Sequence, residues 1–324
     1  MKVLIITKPV FDFIFPLVDF PKDGDKYIIE NSTMTINTVC SILAVILGNS
    51  NIDVSITGVV GNDENGNNIK KIFENNKIDT KYIETSFQEK SCVNYKIYNT
   101  KTNKFTTINQ DSIKTNLIKY KYDFVPDVVI MDDSDYGANM AALNNFPKAK
   151  FIYIADKFSN LSTVYLNKCD YVISNTNFIC NVTGVFKDLN KPKVIVNMFQ
   201  KFIDLYKANI IVKLDNFDFI YIYNDEVRII KNINDKLKNK DNLYVSLLCY
   251  FLLNTNNIEE SIKYTNKVML SSGNELDMFK NIPELSLLNN MLKELNNRIK
   301  NNIETLDNVS NENVQKGDSN NGKL

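Results

Sequence analysis

The 324-residue sequence contains no histidine and no tryptophan, and only 10 glycines and 7 prolines. The lack of histidine excludes a Ser-His-Asp triad, a histidine general base and a histidine metal ligand. Lysine plus arginine and aspartate plus glutamate each total 38, so the formal net charge is zero. That balance argues against a nucleic-acid-binding protein, which usually carries an excess of basic side chains to neutralise phosphates.

The five cysteines are scattered and odd in number, and no two form a Cys-x-x-Cys pair. A zinc site without histidine would need four of these distant thiols. We therefore expect reduced core cysteines and a cytoplasmic location. The longest apolar stretch, residues 245–253, is far shorter than the roughly 20 residues of a spanning helix. The amino terminus has too short an apolar run for a secretion signal, so we expect no membrane contact.

Short apolar runs alternate with helical patterns along most of the chain. Residues 3–6, 54–61 and 128–131 are nearly continuous runs, which suit strands buried on both faces of a parallel sheet. Further strands are predicted at residues 27–29, 151–154, 171–173, 193–196 and 210–214, with a hairpin at 219–230. Helices are predicted at residues 35–47, 242–254, 259–269 and 284–300. The alternation predicts a three-layer α/β/α sandwich with a mainly parallel central sheet.

Two segments do not follow this alternation of strands and helices. In residues 91–109, apolar and polar side chains alternate on both sides of a polar turn at 99–104, which predicts a hairpin solvated on one face. We assign this hairpin to a small accessory sheet. Residues 301–324 lose the apolar pattern and are predicted to form a disordered polar tail.

Several polar and glycine-containing segments occur in an informative order. They are Phe11-Asp12-Phe13-Ile14, residues 19–25, Asn37, residues 57–63 (Thr-Gly-Val-Val-Gly-Asn-Asp) with Gly66, Ser174-Asn175-Thr176-Asn177 with Gly184, and Asp241 before an apolar helix. Together they resemble the ribokinase-like (PfkB) family of sugar and nucleoside kinases. The resemblance implies that residues 1–300 form one kinase domain with a small β lid from about residues 12–34 and 91–109.

The resemblance also implies a reaction, ATP-dependent phosphorylation of a hydroxyl on a small sugar-like or nucleoside acceptor with Mg²⁺. Asp241 stands where the family places its general base. Asp12 and Asn37 match positions that bind the acceptor's hydroxyls, and Asn175 matches an asparagine near the nucleotide phosphates and metal. The family's glycine-rich anion hole corresponds here to Lys238, Asn239 and Lys240. A lid edge of this kind often pairs with a second subunit, so we also expect a homodimer through the lid.

The chain departs from the family pattern where glycines and one acid are expected. Ser32-Thr33 replaces a glycine pair, Lys213-Leu214-Asp215 replaces a Thr-x-Gly segment, and Phe178 replaces the glutamate expected after Asn175. These losses motivate a second hypothesis, a catalytically inactive ribokinase fold that binds a ligand or acts as a scaffold. A third, a different nucleotide-binding α/β domain, lacks a Gly-x-Gly-x-x-Gly or P-loop motif.

Each candidate residue also has a structural interpretation. Asp241 or Asn242 would serve as a helix cap, Asp12 would end a strand in a turn, and Asn37 would be a helix-surface residue. The glycines of residues 58–66 would be structural turns. Ser134-Asp135-Tyr136-Gly137 resembles a turn of heptose-phosphate kinases in the same superfamily and is interpreted as a strand-to-helix turn. Lys201, Lys207 and Lys213 are predicted to be solvated.

Overall fold

The computed structural model describes residues 1–114, 117, 121–160, 162–186, 191–206, 208–214, 218–223, 226–231 and 240–297. Lys238, Asn239 and the predicted tail at 301–324 lie outside these residues. The described strands are β1 (Lys2–Ile6), β2 (Val10–Leu17), β3 (Thr33–Ile36), β4 (Asp53–Gly61), β5 (Asp79–Ser86), β6 (Cys92–Asn99), β7 (Lys104–Gln110), β8 (Val128–Asp132), β9 (Lys150–Ala155), β10 (Tyr171–Asn175), β11 (Asn209–Lys213), β12 (Phe219–Tyr223) and β13 (Glu226–Ile230).

The described helices lie between these strands and after the last of them. They are α1 (Val39–Asn49), α2 (Glu64–Asn75), α3 (Tyr136–Asn145), α4 (Ser162–Leu166), α5 (Thr176–Thr183), α6 (Pro192–Leu205), α7 (Asp241–Thr255), α8 (Ile258–Met269) and α9 (285–297), with a short 3₁₀ helix at Met278–Asn281. Among the described residues, no helix combines the length and the apolar character needed to cross a bilayer.

The central sheet has nine strands in the order β13-β12-β11-β10-β9-β8-β1-β4-β5. The seven strands from β11 to β5 are parallel, and β12 and β13 add an antiparallel hairpin at one edge. Successive side chains of β1 point to opposite faces, so Val3 and Ile5 enter one core while Leu4 and Ile6 enter the other. The predicted three-layer sandwich is confirmed.

Each face of the sheet has its own helical layer. Helices α1, α2, α7, α8 and α9 bury side chains in the core on one face, and α3, α4, α5 and α6 bury theirs on the other. Helix α7 is apolar all round, with residues 243–253 buried, because α1 and α8 cover the sides that the sheet does not. This burial holds the amino-terminal end of α7 near the carboxyl ends of the parallel strands.

A second, four-stranded sheet has the order β3-β2-β6-β7 and is called the lid sheet below. The predicted hairpin at 91–109 is confirmed as β6 and β7. Strand β2 is parallel to β6 and contains Pro16, and the sequence pattern did not reveal it. Residues 27–29 are not a strand, so that prediction was wrong.

Two other predicted elements were wrong. Helix α1 begins at Val39, since Thr38 caps it and residues 35–36 belong to β3. The strand predicted at 193–196 is the start of α6. Its β-branched residues suggested a strand, but the buried side chains recur at helical spacing in Ile195, Met198, Phe199 and Phe202.

The glycines of residues 58–66 are needed for close backbone approach. A Cβ on Gly66 would lie 2.2 Å from the carbonyl oxygen of Gly61, and one on Gly58 would lie 2.3 Å from that of Thr7. The strand-to-helix turn predicted at residues 134–137 is confirmed, since Asp135 caps α3 by accepting a hydrogen bond from the Ala138 N–H at 2.9 Å.

Candidate functional site

A cavity of about 820 Å³ opens at the carboxyl ends of the parallel strands, next to the inner face of the lid sheet. Four neighbouring strands contribute their last residues, Asp132 of β8, Ala155 of β9, Asn175 of β10 and Lys213 of β11, and α7 contributes Asp241. Ligands of open α/β sheets bind in crevices at this end of the strands. The fold therefore brings the predicted residues Asn175 and Asp241 to one wall of one cavity.

Asp241 is the first residue of α7, and its side chain is 50 % exposed. The N-cap residue is Lys240, which makes no side-chain capping hydrogen bond. The interpretation of Asp241 or Asn242 as the cap was therefore wrong. A carboxylate in the first turn is favoured by the helix dipole, and the Asp241 side chain borders the cavity.

Lys213 lies directly against this carboxylate. Its Nζ is 2.5 Å from Asp241 Oδ1, and its side chain is only 12 % exposed. The prediction that Lys213 is solvated was therefore wrong. The sequence could not reveal this ion pair, because β11 and α7 are brought together only by the packing of the sheet and helices.

Asn175 ends β10 and caps α5. Its Oδ1 accepts a hydrogen bond from the Phe178 N–H at 2.8 Å, and its Nδ2 donates to the Asp156 carboxylate at 2.8 Å. The amide is thus held between a helix start and a carboxylate, both at the cavity wall. Phe178 itself is completely buried, so this side chain contributes apolar packing where the family has a glutamate.

The lysine next to the predicted base is directed elsewhere. Lys240 is buried, and its Nζ donates to Ser272 Oγ at 3.1 Å. It is not among the residues that line the cavity. Its assignment to the nucleotide site stays a prediction that rests on its backbone, as do those of Lys238 and Asn239, which lie outside the described residues.

Asn37 also lines the cavity. It lies between β3 and α1 rather than within the helix, as the sequence pattern had suggested. Its carbonyl oxygen accepts a hydrogen bond from Asn242 Nδ2 at 2.5 Å. This bond ties the loop that contains Asn37 to the first turn of α7, where Asp241 lies.

Asp12 is buried on the inner face of the lid sheet and does not itself line the cavity. Its carboxylate accepts a hydrogen bond from Asn94 Nδ2 at 2.8 Å and forms an ion pair with Lys96. Asn94 in turn accepts from Asn109 Nδ2 at 2.6 Å. These three partners, which do line the cavity, form a polar wall whose orientation Asp12 fixes.

Sequence analysis missed two aspartates at the carboxyl end of β8, Asp132 and Asp133. Asp132 accepts hydrogen bonds from Thr7 Oγ1 at 2.5 Å and from the Ser134 N–H at 2.9 Å, and burial raises its pKa. Asp133 accepts from the N–H groups of Asp156 and Lys157, and burial raises its pKa as well. The signal was two consecutive acids directly after an apolar strand, a position at the carboxyl end of a parallel sheet.

The cavity lining is rich in charge and nearly balanced. Lys8 forms an ion pair with Asp111 at 2.9 Å, and the hydrogen bond from this ammonium lowers the pKa of Asp111. The lining lysines are Lys8, Lys96, Lys157 and Lys213. The lining aspartates are Asp111, Asp132, Asp133, Asp156 and Asp241. Such a wall can hydrogen-bond many hydroxyls at the lid end and bind an anion beside the starts of α5 and α7.

No protein-family model matches the sequence, and no curated protein matches it in sequence. In structure the chain is similar to ribokinase from Thermotoga maritima, at 14 % identity and a TM-score of 0.73, over 90 % of this chain and 99 % of that one. It is also similar to Arabidopsis thaliana ribokinase complexed with ribose and ATP, at 12 % identity and a TM-score of 0.73, over 90 % and 98 % of the two chains.

A third similar structure is a nucleoside kinase from Methanocaldococcus jannaschii, an archaeal member of the ribokinase family. It has 13 % identity and a TM-score of 0.68, over 91 % of this chain and 99 % of that one. The chain therefore has a ribokinase-like fold, as the resemblance implied. Identities this low show the fold alone, so the chemistry has to be argued from this chain's own residues.

Proposed function

We propose that this protein is a kinase that transfers the γ-phosphoryl group of ATP to a hydroxyl of a small sugar-like or nucleoside acceptor. The observation that carries the proposal is the position of Asp241, a half-exposed carboxylate at the start of α7 on the wall of the cavity. The Arabidopsis neighbour, whose structure was determined with ribose and ATP, supports the proposal by its fold.

In the proposed reaction, the acceptor hydroxyl oxygen attacks the γ-phosphorus as the bond from that phosphorus to the β,γ-bridging oxygen breaks. ADP leaves with the electron pair of that bond, and the hydroxyl proton passes to the Asp241 carboxylate. Positioning and charge stabilisation supply most of the catalysis in such reactions. The lid sheet would exclude water from the cavity.

The phosphate end of the cavity is assigned to the amino-terminal ends of α5 and α7. Backbone N–H groups at helix starts attract anions, and Asn175, Thr176 and Asn177 of the first helix start line the cavity. Mg²⁺ bound with ATP would neutralise phosphate charge. No metal-binding group of three or more acidic or cysteine side chains exists in the described part of the chain. The exposed Asp156 beside Asn175 fits a Mg²⁺ held mainly by phosphates and water.

The acceptor end is assigned to the polar wall of the lid sheet. Asn94, Lys96 and Asn109 present amide and ammonium groups to the cavity, and Asn37, which lies between β3 and α1, lines it as well. Amide and ammonium groups offer several hydrogen-bond donors to clustered hydroxyls. Asp12 would act through Asn94 and Lys96, whose positions it fixes.

The test is ADP release from ATP and Mg²⁺ with a panel of sugars and nucleosides, in wild type and in Asp241→Asn. We expect turnover with at least one acceptor and a loss of about 100-fold or more in kcat in the variant, within the range for general-base catalysis. Asp53→Asn is the matched control, because Asp53 lies at the opposite end of the sheet. Full activity of Asp241→Asn would refute the assigned role.

The same assay tests the scaffold hypothesis. If no acceptor supports turnover and ATP leaves the melting temperature unchanged, the protein has kept the fold without phosphoryl transfer. A ligand in large excess over its Kd should shift the melting temperature by mass action, so an absent shift would be informative. Nothing in the cavity favours this alternative, since both ends carry polar groups that face the same space.

A homodimer through the outer face of the lid sheet is part of the proposal. Met34, Phe13, Tyr95 and Ile108 are successive partners across the four strands. Met34, Tyr95 and Ile108 are 58 %, 38 % and 60 % exposed. An apolar row of this kind would be covered by the same row of a second copy in a two-fold interface.

Equilibrium sedimentation of wild type and Ile108→Glu tests the dimer. We expect a dimer for wild type and a monomer for the variant, because the variant would bury an unpaired glutamate of each copy in the apolar interface. Thr102→Glu, in the exposed turn of the same hairpin, should stay dimeric. A monomeric wild type would contradict the proposal. We also propose a cytoplasmic location, since all five cysteines are free thiols.

A further inference from the structure

The ion pair between Lys213 and Asp241 joins a lysine of the sheet to the residue assigned as base. Lys213 is the last residue of β11, Asp241 is the first of α7, and both line the cavity. A lysine with a side chain only 12 % exposed loses much of its hydration, which is costly unless a charged partner compensates. Asp241 is the partner at 2.5 Å, and the Leu214 carbonyl accepts a longer hydrogen bond at 3.4 Å.

The phosphate end of this cavity lacks a flexible glycine loop. The sequence has no glycine from residue 185 to residue 272, which includes β11 and the start of α7. The lysine directly before α7, Lys240, directs its ammonium to Ser272. Among the described residues that line the cavity, the ammonium that lies against the start of α7 is that of Lys213.

The other lysines that line the cavity contact other carboxylates. Lys8 pairs with Asp111 and Lys96 pairs with Asp12, both near the lid sheet. Lys157 follows β9 and lies next to the Asp133 loop. Lys213 is thus the lining lysine in contact with Asp241, where the γ-phosphate of the proposed reaction would lie.

We propose that Lys213 both positions the Asp241 carboxylate and binds the terminal phosphate of the nucleotide. This inference rests on the proposed kinase function. A lysine ammonium has three N–H donors, so it can hold the carboxylate while a phosphate oxygen takes the place of the long contact to the Leu214 carbonyl. The ammonium also offsets the repulsion between the Asp241 carboxylate and a triphosphate, a repulsion that any kinase with a carboxylate base must overcome.

The test compares the binding of ATP, ADP and AMP to wild type, Lys213→Met and Lys213→Arg by titration calorimetry. Methionine keeps the apolar length of lysine and removes the charge. We expect Lys213→Met to weaken ATP binding about tenfold or more, as the loss of one charge-assisted hydrogen bond implies, and to leave AMP binding nearly unchanged. Arginine should restore part of the ATP affinity. Lys201→Met, on the exposed face of α6, is the matched control.

A double-mutant cycle separates phosphate binding from a purely structural ion pair. Asp241→Asn should strengthen ATP binding when Lys213 is present, because the ammonium no longer shares its charge with a carboxylate. In the Asp241→Asn background, where no carboxylate is left to repel the triphosphate, Lys213→Met should still weaken ATP binding. If Lys213 only stabilises the fold, Lys213→Met will lower the melting temperature while the ratio of ATP to AMP affinity stays that of wild type.

The outcomes distinguish this inference from the proposed function. If wild type binds ATP and Lys213→Met binds it equally well, the role of Lys213 is refuted and the kinase proposal stands. If wild type binds none of the three nucleotides, the kinase proposal fails and the role of Lys213 fails with it. AMP binding by Lys213→Met, together with an unchanged circular dichroism spectrum, shows that the variant is folded.

Discussion

At the scale of single residues, the cavity contains carboxylates in opposite situations. Asp111 is partly exposed and its pKa is lowered by the hydrogen bond from Lys8. Asp132 is partly buried, and desolvation raises its pKa, although Thr7 and Ser134 donate hydrogen bonds that favour the charged form. Burial therefore outweighs hydrogen bonding at Asp132, and its charge is a cost to folding at neutral pH.

This cost predicts how Asp132→Asn changes stability with pH. An acid whose pKa is higher in the folded than in the unfolded state loses stability as pH rises through the folded value. Asparagine has no charge to desolvate, so Asp132→Asn should be more stable relative to wild type at pH 8 than at pH 4.5. The difference in the free energy of unfolding, variant minus wild type, should therefore be more positive at pH 8. Urea unfolding at both pH values measures it, with Asp53→Asn as the surface control. The same difference at both pH values would contradict the prediction.

The residue scale also shows the limit of sequence analysis. Asn37, Asn175 and Asp241 were predicted from the sequence as site residues, and all three line one cavity; their roles stay predictions. The partners that modify them were not found, because Lys213 and Asp156 lie far away in sequence and become neighbours only in the folded sheet. A sequence pattern indicates which residue types lie at a strand end, but not which charges face one another there.

At the scale of elements, long apolar runs were the most reliable signal. The buried strands β1, β4 and β8 to β11 were found because both of their faces are apolar. Strand β2 was missed since it lies in a small sheet, is only partly buried and contains a proline. The start of α6 was predicted as a strand because β-branched residues cluster there. The helical period of the buried side chains over the whole segment outweighs this local propensity.

Hydrogen bonds at the start of β6 join the lid sheet to the segment between β4 and α2. Ser91 precedes β6, is buried, and donates its hydroxyl to Asp63 Oδ1 at 2.6 Å while accepting from the Gly61 N–H at 2.9 Å. Asp63 also caps α2 through the Gly66 N–H. Burial alone would raise the pKa of Asp63, but the hydrogen bonds from Ser91 and Gly66 hold it below its usual value.

Ser91→Ala should therefore destabilise the protein by about 1–3 kcal/mol, because it leaves a buried N–H without its partner and removes a hydrogen bond to a charged group. A carboxylate whose pKa is lowered in the folded state stabilises above its unfolded pKa, and the stabilisation is lost as pH falls through the folded value. The variant should lose part of this acid dependence below pH 4. Urea unfolding measures both effects.

Ser286→Ala, on the exposed side of α9, is the control and should stay within about 0.5 kcal/mol of wild type. Equal stability of Ser91→Ala and Ser286→Ala would mean that the junction between the lid sheet and α2 depends on other contacts. The glycines of the same segment would then be the main determinants, because their backbones approach too closely for a side chain.

At the scale of the whole molecule, the cavity is divided between two structural units. The lid sheet provides Asn94, Lys96 and Asn109, while the strand ends and helix starts of the sandwich provide Asn175 and Lys213. The two sets belong to different sheets. If the proposed function holds, changes in one unit should affect one ligand more than the other, although both ligands share the cavity.

Thermal shifts test this division. Each ligand at about 100 times its Kd should stabilise the wild type by about 2.7 kcal/mol. Lys96→Met should lose most of the shift caused by the acceptor that the activity panel identifies and keep the shift caused by ATP. Lys213→Met should keep the acceptor shift and lose about half or more of the ATP shift, as a tenfold or larger rise in the Kd for ATP implies. Each shift is measured against the same variant without ligand, because Lys96→Met leaves the buried Asp12 carboxylate without its cation and lowers the starting stability. Equal losses of both shifts in either variant would mean that the cavity responds as a single unit, and the assignment of an acceptor end and a phosphate end would be wrong.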